Sequence, residues 1–297
     1  LHVRHIRPPA AAPAAPYNPH NAIIRESPMG RVLLLLLLFA VLPGLLAGRD
    51  EPLKPDEFVT VQKGTLPIIV SAPHGGKKAI PLVPERTGVG IKQFAKVRDF
   101  NTSELAEKFA VAIEKELGGK VWFVIARFDR KYLDVNRPAD GAYENEKAKP
   151  VYEAYHAALS EACKAVKQKH GAGLLLDIHG QGVFEHQICR GTQNGKTVKL
   201  LKERHGWAAV TGKNSVLGRM EKAGYSVQPR CSAPEDAKEE VQFNGGYIVQ
   251  TYGSHTGYGI DAIQFEFGTH FREREAYPKT ATDLAEAVAA FYETYLK

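Results

Sequence analysis

The chain has 297 residues, 44% of them hydrophobic and 24% charged, a balance that suits one large or two small globular domains. Its formal charge is +6, but four arginines against Glu26 in the first 47 residues supply half of it. With no lysine run interleaved with aromatics, nucleic-acid binding is not expected.

Residues 1–28 are rich in Pro, Ala and His and show no periodicity. They read as an upstream extension that stays disordered, with Met29 as the true start. Residues 29–48 form a secretory signal: a positive Arg31, an 11-residue apolar run from Val32 to Leu42, then Pro43, Gly44 and small residues at a cleavage point. A membrane-spanning helix needs roughly 18 apolar residues, so no stable membrane insertion is expected after cleavage. The product is expected to be secreted or periplasmic.

From residue 49 to residue 297, strand-like and helix-like runs alternate, which predicts one α/β domain. Strands are predicted at 66–71, 121–126, 132–136, 174–178, 246–251 and 261–267. Leu105, Phe109, Ala112, Ile113 and Leu117 stand at helical spacing and predict a helix over 101–117. Asn101 and Glu104 are placed to close a capping box, and Gly118-Gly119 to stop the helix. Further helices are expected at 151–170 and 280–296. The polar stretch 184–245 reads mostly as loop, with a short helix near 215–223. Of three cysteines, Cys163 lies on a helix face and reads as a buried hydrophobe. Cys189 and Cys231 lie in polar, turn-rich stretches and are the better candidates for a disulfide.

Two histidines stand where apolar runs break into glycine: His74 in Ser71-Ala-Pro-His-Gly-Gly76, and His179 in Asp177-Ile-His-Gly180. Strand ends of open α/β sheets are where ligands bind. Zinc takes imidazole nitrogen and carboxylate oxygen, with three protein ligands in catalytic sites. Asp99, just before the first helix, is the preferred third ligand; Glu85 and Glu104 are the alternatives. Asp177 can orient an imidazole or serve as a structural acceptor. Glu266 lies in an apolar run, where a carboxylate must be paired, metal-bound or functional. Burial suits it as general base, with an ion pair to Arg272 as the other reading. Arg137 offers a fork for a substrate carboxylate, beside the amide of Asn136. Arg127 and Arg130 lie just upstream and can reach an oxyanion, and Arg130 is grouped with Glu266 as catalytic. A serine hydrolase using Ser71 or Ser254 lacks a Gly-x-Ser-x-Gly elbow.

The order of Pro73-His-Gly-Gly76, Asp99, Asp134-Val-Asn-Arg-Pro138, Asp177-Ile-His-Gly180 and Gln264-Phe-Glu266 resembles the N-formylglutamate amidohydrolase family. So do Tyr152-Glu-Ala-Tyr-His156 and Gly246-Tyr-Ile-Val-Gln-Thr-Tyr-Gly253; the likeness covers roughly residues 60–275. It implies a three-layer α/β/α domain with a mixed central sheet, similar to zinc carboxypeptidases. It further implies zinc on His74, Asp99 and His179, Glu266 as base, and Asn136 with Arg137 holding a substrate carboxylate. Lys77 stands where carboxypeptidases carry a ligand glutamate, so the third ligand comes from elsewhere. The Tyr247–Tyr258 region is similar to their mobile tyrosine loop. Formylglutamate deformylation belongs to cytoplasmic histidine breakdown, whereas this chain carries an export leader. The expectation is therefore an exported zinc amidohydrolase of an N-acyl amino acid or small peptide bearing a carboxylate. A metallocarboxypeptidase, a γ-glutamyl hydrolase or a non-catalytic binding relative are the alternatives.

Overall fold

A computed structural model describes residues 53–297; the extension expected at 1–28 and the signal expected at 29–48 lie outside the described residues. Seven strands form one mixed sheet: β1 (Val59–Gln62), β2 (Ile68–Ala72), β3 (Trp122–Ala126), β4 (Leu174–Gln181), β5 (Gln187–Gly191), β6 (Ser226–Gln228) and β7 (Asp261–Gly268). Their spatial order is β1-β3-β2-β4-β7-β5-β6. The central β3, β2, β4 and β7 run parallel, while β1 and β5 pair antiparallel to β3 and β7. Among the described residues the eight α-helices are α1 (Thr102–Leu117), α2 (Ala139–Ala142), α3 (Lys149–His170), α4 (Lys199–His205), α5 (Ala208–Thr211), α6 (Val216–Lys222), α7 (Tyr247–Tyr252) and α8 (Tyr277–Tyr295).

Successive strand residues face opposite sides, and both sides of the sheet are buried. Ile68, Val70, Leu174 and Leu176 pack with Phe109 of α1 and Phe291 of α8. Ile69 and Leu175, one residue along, pack with Tyr155 and Leu159 of α3 and Ile248 of α7. The result is the α/β/α layering expected from the resemblance. Burial on both faces makes the central strands read as unbroken apolar runs.

The elements depart from the sequence reading in places with a physical cause. Residues 132–136 are not a strand but a turn that passes over the carboxyl end of the sheet. Residues 246–251, rich in strand formers, enter helix α7 instead. The amide oxygen of Asn136 accepts the Ile248 N–H at 2.8 Å, satisfying a first-turn donor from outside the helix. The capping box of α1 does not form. Asn101 sits at φ 59° and its amide donates to Arg272 O at 2.8 Å, while Glu104 pairs with Lys77 at 2.8 Å. Gly118, at φ 67°, does close the helix through a bond to Glu114 O.

The stretch 184–245 is richer than a loop, carrying β5, β6 and α4 to α6, with α6 where a short helix was expected. Cys189 is buried inside β5, and all three cysteines are free thiols, so the disulfide weighed for Cys189 and Cys231 is not made. Cys163 is buried on α3, as expected. Among the described residues no helix is long and apolar enough to cross a membrane.

Candidate metal centre

Strands β2 and β4 are adjacent and parallel, with Ser71 level with Asp177. That register brings the chain beyond β2 and the end of β4 together, and His74 and His179 meet with ring centroids 4.7 Å apart. The turn at His74 needs glycine: a Cβ on Gly75 would run into Ser103 at the start of α1. Asp99 enters the same space because its N–H donates to His74 O at 3.0 Å, and its Oδ2 accepts the Gly180 N–H at 3.1 Å.

The three side chains are buried and present one donor atom each to a common centre. Asp99 Oδ2 lies 3.4 Å from His74 Nδ1 and 3.3 Å from His179 Nδ1. Two ligands about 2.1 Å from a tetrahedral ion stand ~3.4 Å apart, so the spacing suits zinc. The outer nitrogens are already used. His74 Nε2 meets Asp134 Oδ1 at 2.7 Å, and His179 Nε2 meets Asp177 Oδ2 at 3.0 Å. A carboxylate on the far nitrogen keeps the proton there and turns the lone pair inward. His74 Nδ1 has no hydrogen-bond partner although it is buried, as a vacant ligand atom would be. The donor set therefore fits a divalent metal, and it is the one such group of three among the described residues. The alternatives for the third ligand lie elsewhere: Glu85 pairs with Lys131 at the surface and Glu104 with Lys77.

Each backing carboxylate is itself held. Arg130 donates through Nε and Nη2 to Asp134 Oδ2 at 2.9 and 2.8 Å. Ser71 donates to Asp177 Oδ1 at 2.7 Å and touches Tyr155 Oη at 2.9 Å. Burial alone would push the Asp99 carboxyl up, yet the two imidazoles hold it well below the ordinary range. Burial likewise opposes ionisation of Asp134, and Arg130 and His74 overcome it. For His179, burial works downward but Asp177, Asp99 and Glu266 hold the ring well above its usual value.

Glu266 lies on β7 level with His179 on β4, its Oε1 4.0 Å from His179 Nδ1. Burial pushes it up to about 7; His179 pulls against this and Asp99 adds to it. Gln264, two residues earlier on the same face, donates to Oε1 at 2.8 Å. The ion pair with Arg272 is not made. Arg272 instead donates to the carbonyls of Phe267, Phe100 and Gln181 and stacks on Phe100. It thereby ties the Asp99 segment to the ends of β4 and β7, and a Cβ on Gly180 would strike its guanidinium.

A cavity of about 750 Å³ opens over the centre, lined by His74, Asp99, His179, Glu266, Arg130, Asn136, Arg137 and Tyr247 among others. Arg127 is absent from that lining: it bonds Thr60 and Glu107 near the sheet edge. Arg137 donates to Asn136 O and Gln93 O and has no carboxylate partner among the described residues. Asn136 is less free than the sequence implies, since its Oδ1 is taken by Ile248; its Nδ2 lies 3.3 Å from His179 Nε2. Of the tyrosine region only Tyr247 reaches the cavity; Tyr252 bonds His156, and Tyr258 bonds Ser160. Ser71 is buried and committed to Asp177, and Ser254 to Thr197 O and the Leu200 N–H, which leaves no exposed nucleophile at either.

His74, Asp99, His179 and Glu266, each singled out in the sequence, do come together, whereas Asp134 had no role assigned, Ser71 is bonded to Asp177 and Arg272 makes no ion pair with Glu266. The signal for Asp134 was its place in a proline-bounded turn two residues before Asn136.

No family model matches the chain. Its sequence is 23% identical over 270 residues to an N-formylglutamate deformylase of Pseudomonas aeruginosa, across 79% of this chain and 93% of that protein. A solved N-formylglutamate amidohydrolase from Ralstonia eutropha superposes with a TM-score of 0.53 at 16% identity, covering 80% of this chain and 98% of its own. A gene product of Agrobacterium tumefaciens gives the same score and identity, covering 82% and 99%. The solved structures share the fold, and the motif resemblance to N-formylglutamate amidohydrolases is borne out by relatives of that name.

Proposed function

We propose that this chain is an exported, zinc-dependent hydrolase of an amide C–N bond in an N-acyl amino acid or small peptide carrying a carboxylate. One observation carries the reading: two buried Nδ1 atoms, each 3.3–3.4 Å from Asp99 Oδ2 as tetrahedral ligands would be, stand beside a carboxylate poised near neutrality. The named relatives support amide hydrolysis as the reaction class, and the apolar run after Arg31 supports export.

His74, Asp99 and His179 would hold zinc, which supplies Lewis acidity for a carbonyl and lowers the pKa of a bound water. Glu266 takes a proton from the attacking water and returns it to the departing nitrogen, a role its pKa near 7 suits. Water oxygen joins the acyl carbon, the C–N bond breaks, and acid and amine result. Arg130 places a buried positive charge at the cavity wall, its Nη1 3.7 Å from Asp99, where negative charge develops on the acyl oxygen. Arg137 holds the substrate carboxylate, and Asn136 spans His179 and α7 so that anchor and centre stay in register.

The test is a hydrolysis screen of zinc-loaded protein over N-formyl, N-acetyl and γ-glutamyl amino acids and short peptides, with elemental analysis of the metal. Glu266→Gln should cost about 10²–10⁴ in rate while zinc stays bound, and His179→Ala should lose both. Purified protein with no zinc affinity, or unchanged hydrolysis in both variants, would sink the reading.

A further inference from the structure

The cavity is much larger than an N-formyl amino acid needs, and its charges are unevenly placed. It is lined from loops and ends of β3, β2, β4, β7 and β5, five neighbours in the sheet. Four strand steps at about 4.8 Å make a trench on the order of 19 Å long. Arg137 and Gln93 stand at the β3 end, joined through the Gln93 carbonyl. The candidate metal ligands occupy the middle, with His74 just beyond β2, His179 on β4 and Asp99 bonded to both segments. Beyond them lie Val183, Gln242, Phe243 and Asn244, none of them charged. Phe184 and Phe243 meet edge to face there, and Gln193 N–H donates to Asn244 O, which fixes this wall against the end of β5.

Two consequences follow from the chemistry. Among the described residues Arg130 and Arg137 are the only arginines or lysines on the cavity wall, and Arg130 is committed to Asp134. One guanidinium is left for a substrate carboxylate, which matches one carboxylate and not the two of an N-acyl glutamate. With that carboxylate on Arg137, the scissile carbonyl falls at the centre and the acyl group points along the β7–β5 side. That side is about two strand steps, ~10 Å, and holds about three residues of extended chain. A formyl group, a single carbon, leaves it empty.

Resting on the amidohydrolase reading above, we infer that the acyl group is a peptide of about three residues, joined to a leaving residue that carries one carboxylate. Amide side chains such as Gln242 and Asn244 match the donors and acceptors of such a chain, and Val183 and Phe243 cover its apolar side chains. Hydrolysis then adds water oxygen to the penultimate carbonyl carbon and releases the last residue as a free amino acid.

The experiment compares kcat/KM of zinc-loaded protein on N-formyl-alanine, N-formyl-glutamate and N-acetyl alanine peptides of two to five residues. Each satisfied backbone hydrogen bond is worth about 1 kcal/mol, or roughly fivefold. The series should rise at least tenfold, level off near four residues, and place N-formyl-glutamate no higher than N-formyl-alanine. Peptide binding to Glu266→Gln, followed by calorimetry, should tighten over the same lengths. A flat series, or N-formyl-glutamate as the best substrate, overturns the inference and leaves the amidohydrolase reading standing. Cleavage of none of them removes both.

Discussion

Asp177→Asn isolates how the buried carboxylates set the metal-facing nitrogens. The substitution leaves Oδ1 as an acceptor for Ser71, whose hydroxyl donates to it at 2.7 Å, so the side chain keeps its orientation. The new amide nitrogen then lands where Oδ2 stood, 3.0 Å from His179 Nε2. Asn136 already places an amide nitrogen 3.3 Å from the same atom. Two donors facing Nε2 require it to accept, which moves the ring proton to Nδ1, the atom 3.3 Å from Asp99 that faces the centre. Binding zinc must then reverse the tautomer and break a hydrogen bond. Losing an outer-shell partner of this kind costs about 10- to 100-fold in metal affinity, or ~1.4–2.8 kcal/mol. His74 keeps Asp134, so the loss belongs to one ligand of three. Competition against a chromophoric zinc chelator measures it, and urea unfolding of the metal-free protein checks that the fold persists. A loss under threefold in an intact variant would refute the tautomer reasoning.

Arg137→Met should raise KM for carboxylate-bearing substrates about 10- to 100-fold, the worth of a charge-assisted pair, with kcat far less affected. A fall in kcat at constant KM would contradict the anchoring role. His156 gives a stability prediction. Burial pushes its imidazole down from 6.5 to about 4, so between those values the unfolded chain binds more protons and stability falls as pH falls. Two and a half units correspond to ~3 kcal/mol at most. Denaturant unfolding of His156→Gln should therefore show a shallower loss from pH 6.5 to 4 than the parent protein; parallel curves would contradict the buried neutral ring.

The central strands and long helices were legible because each carries its own signal. Leu174-Leu-Leu176 and the apolar stripe of α1 are local patterns that burial on a sheet face or a helix face demands. His74, His179 and Glu266 were legible for a related reason, as polar groups set in or against apolar runs whose cost must be offset. The last two strands of the sheet, β5 and β6, were not legible, since three to five residues with one or two apolar positions do not stand out from a loop. Residues 246–251 misled because Tyr, Ile and Val favour strands. What turns them into α7 is an amide 112 positions away, Asn136, accepting the Ile248 N–H.

The sequence by itself determined the α/β class and singled out both histidines, the proposed base and the candidate third ligand, since those follow from composition and short-range pattern. The tertiary structure alone decided that Asp99 meets both imidazoles, that Asp134 and Asp177 turn their Nδ1 atoms inward, and that one guanidinium of the cavity wall has no carboxylate partner among the described residues. These depend on which strands lie side by side, and strand order is set by burial over the whole chain rather than by any local run of residues.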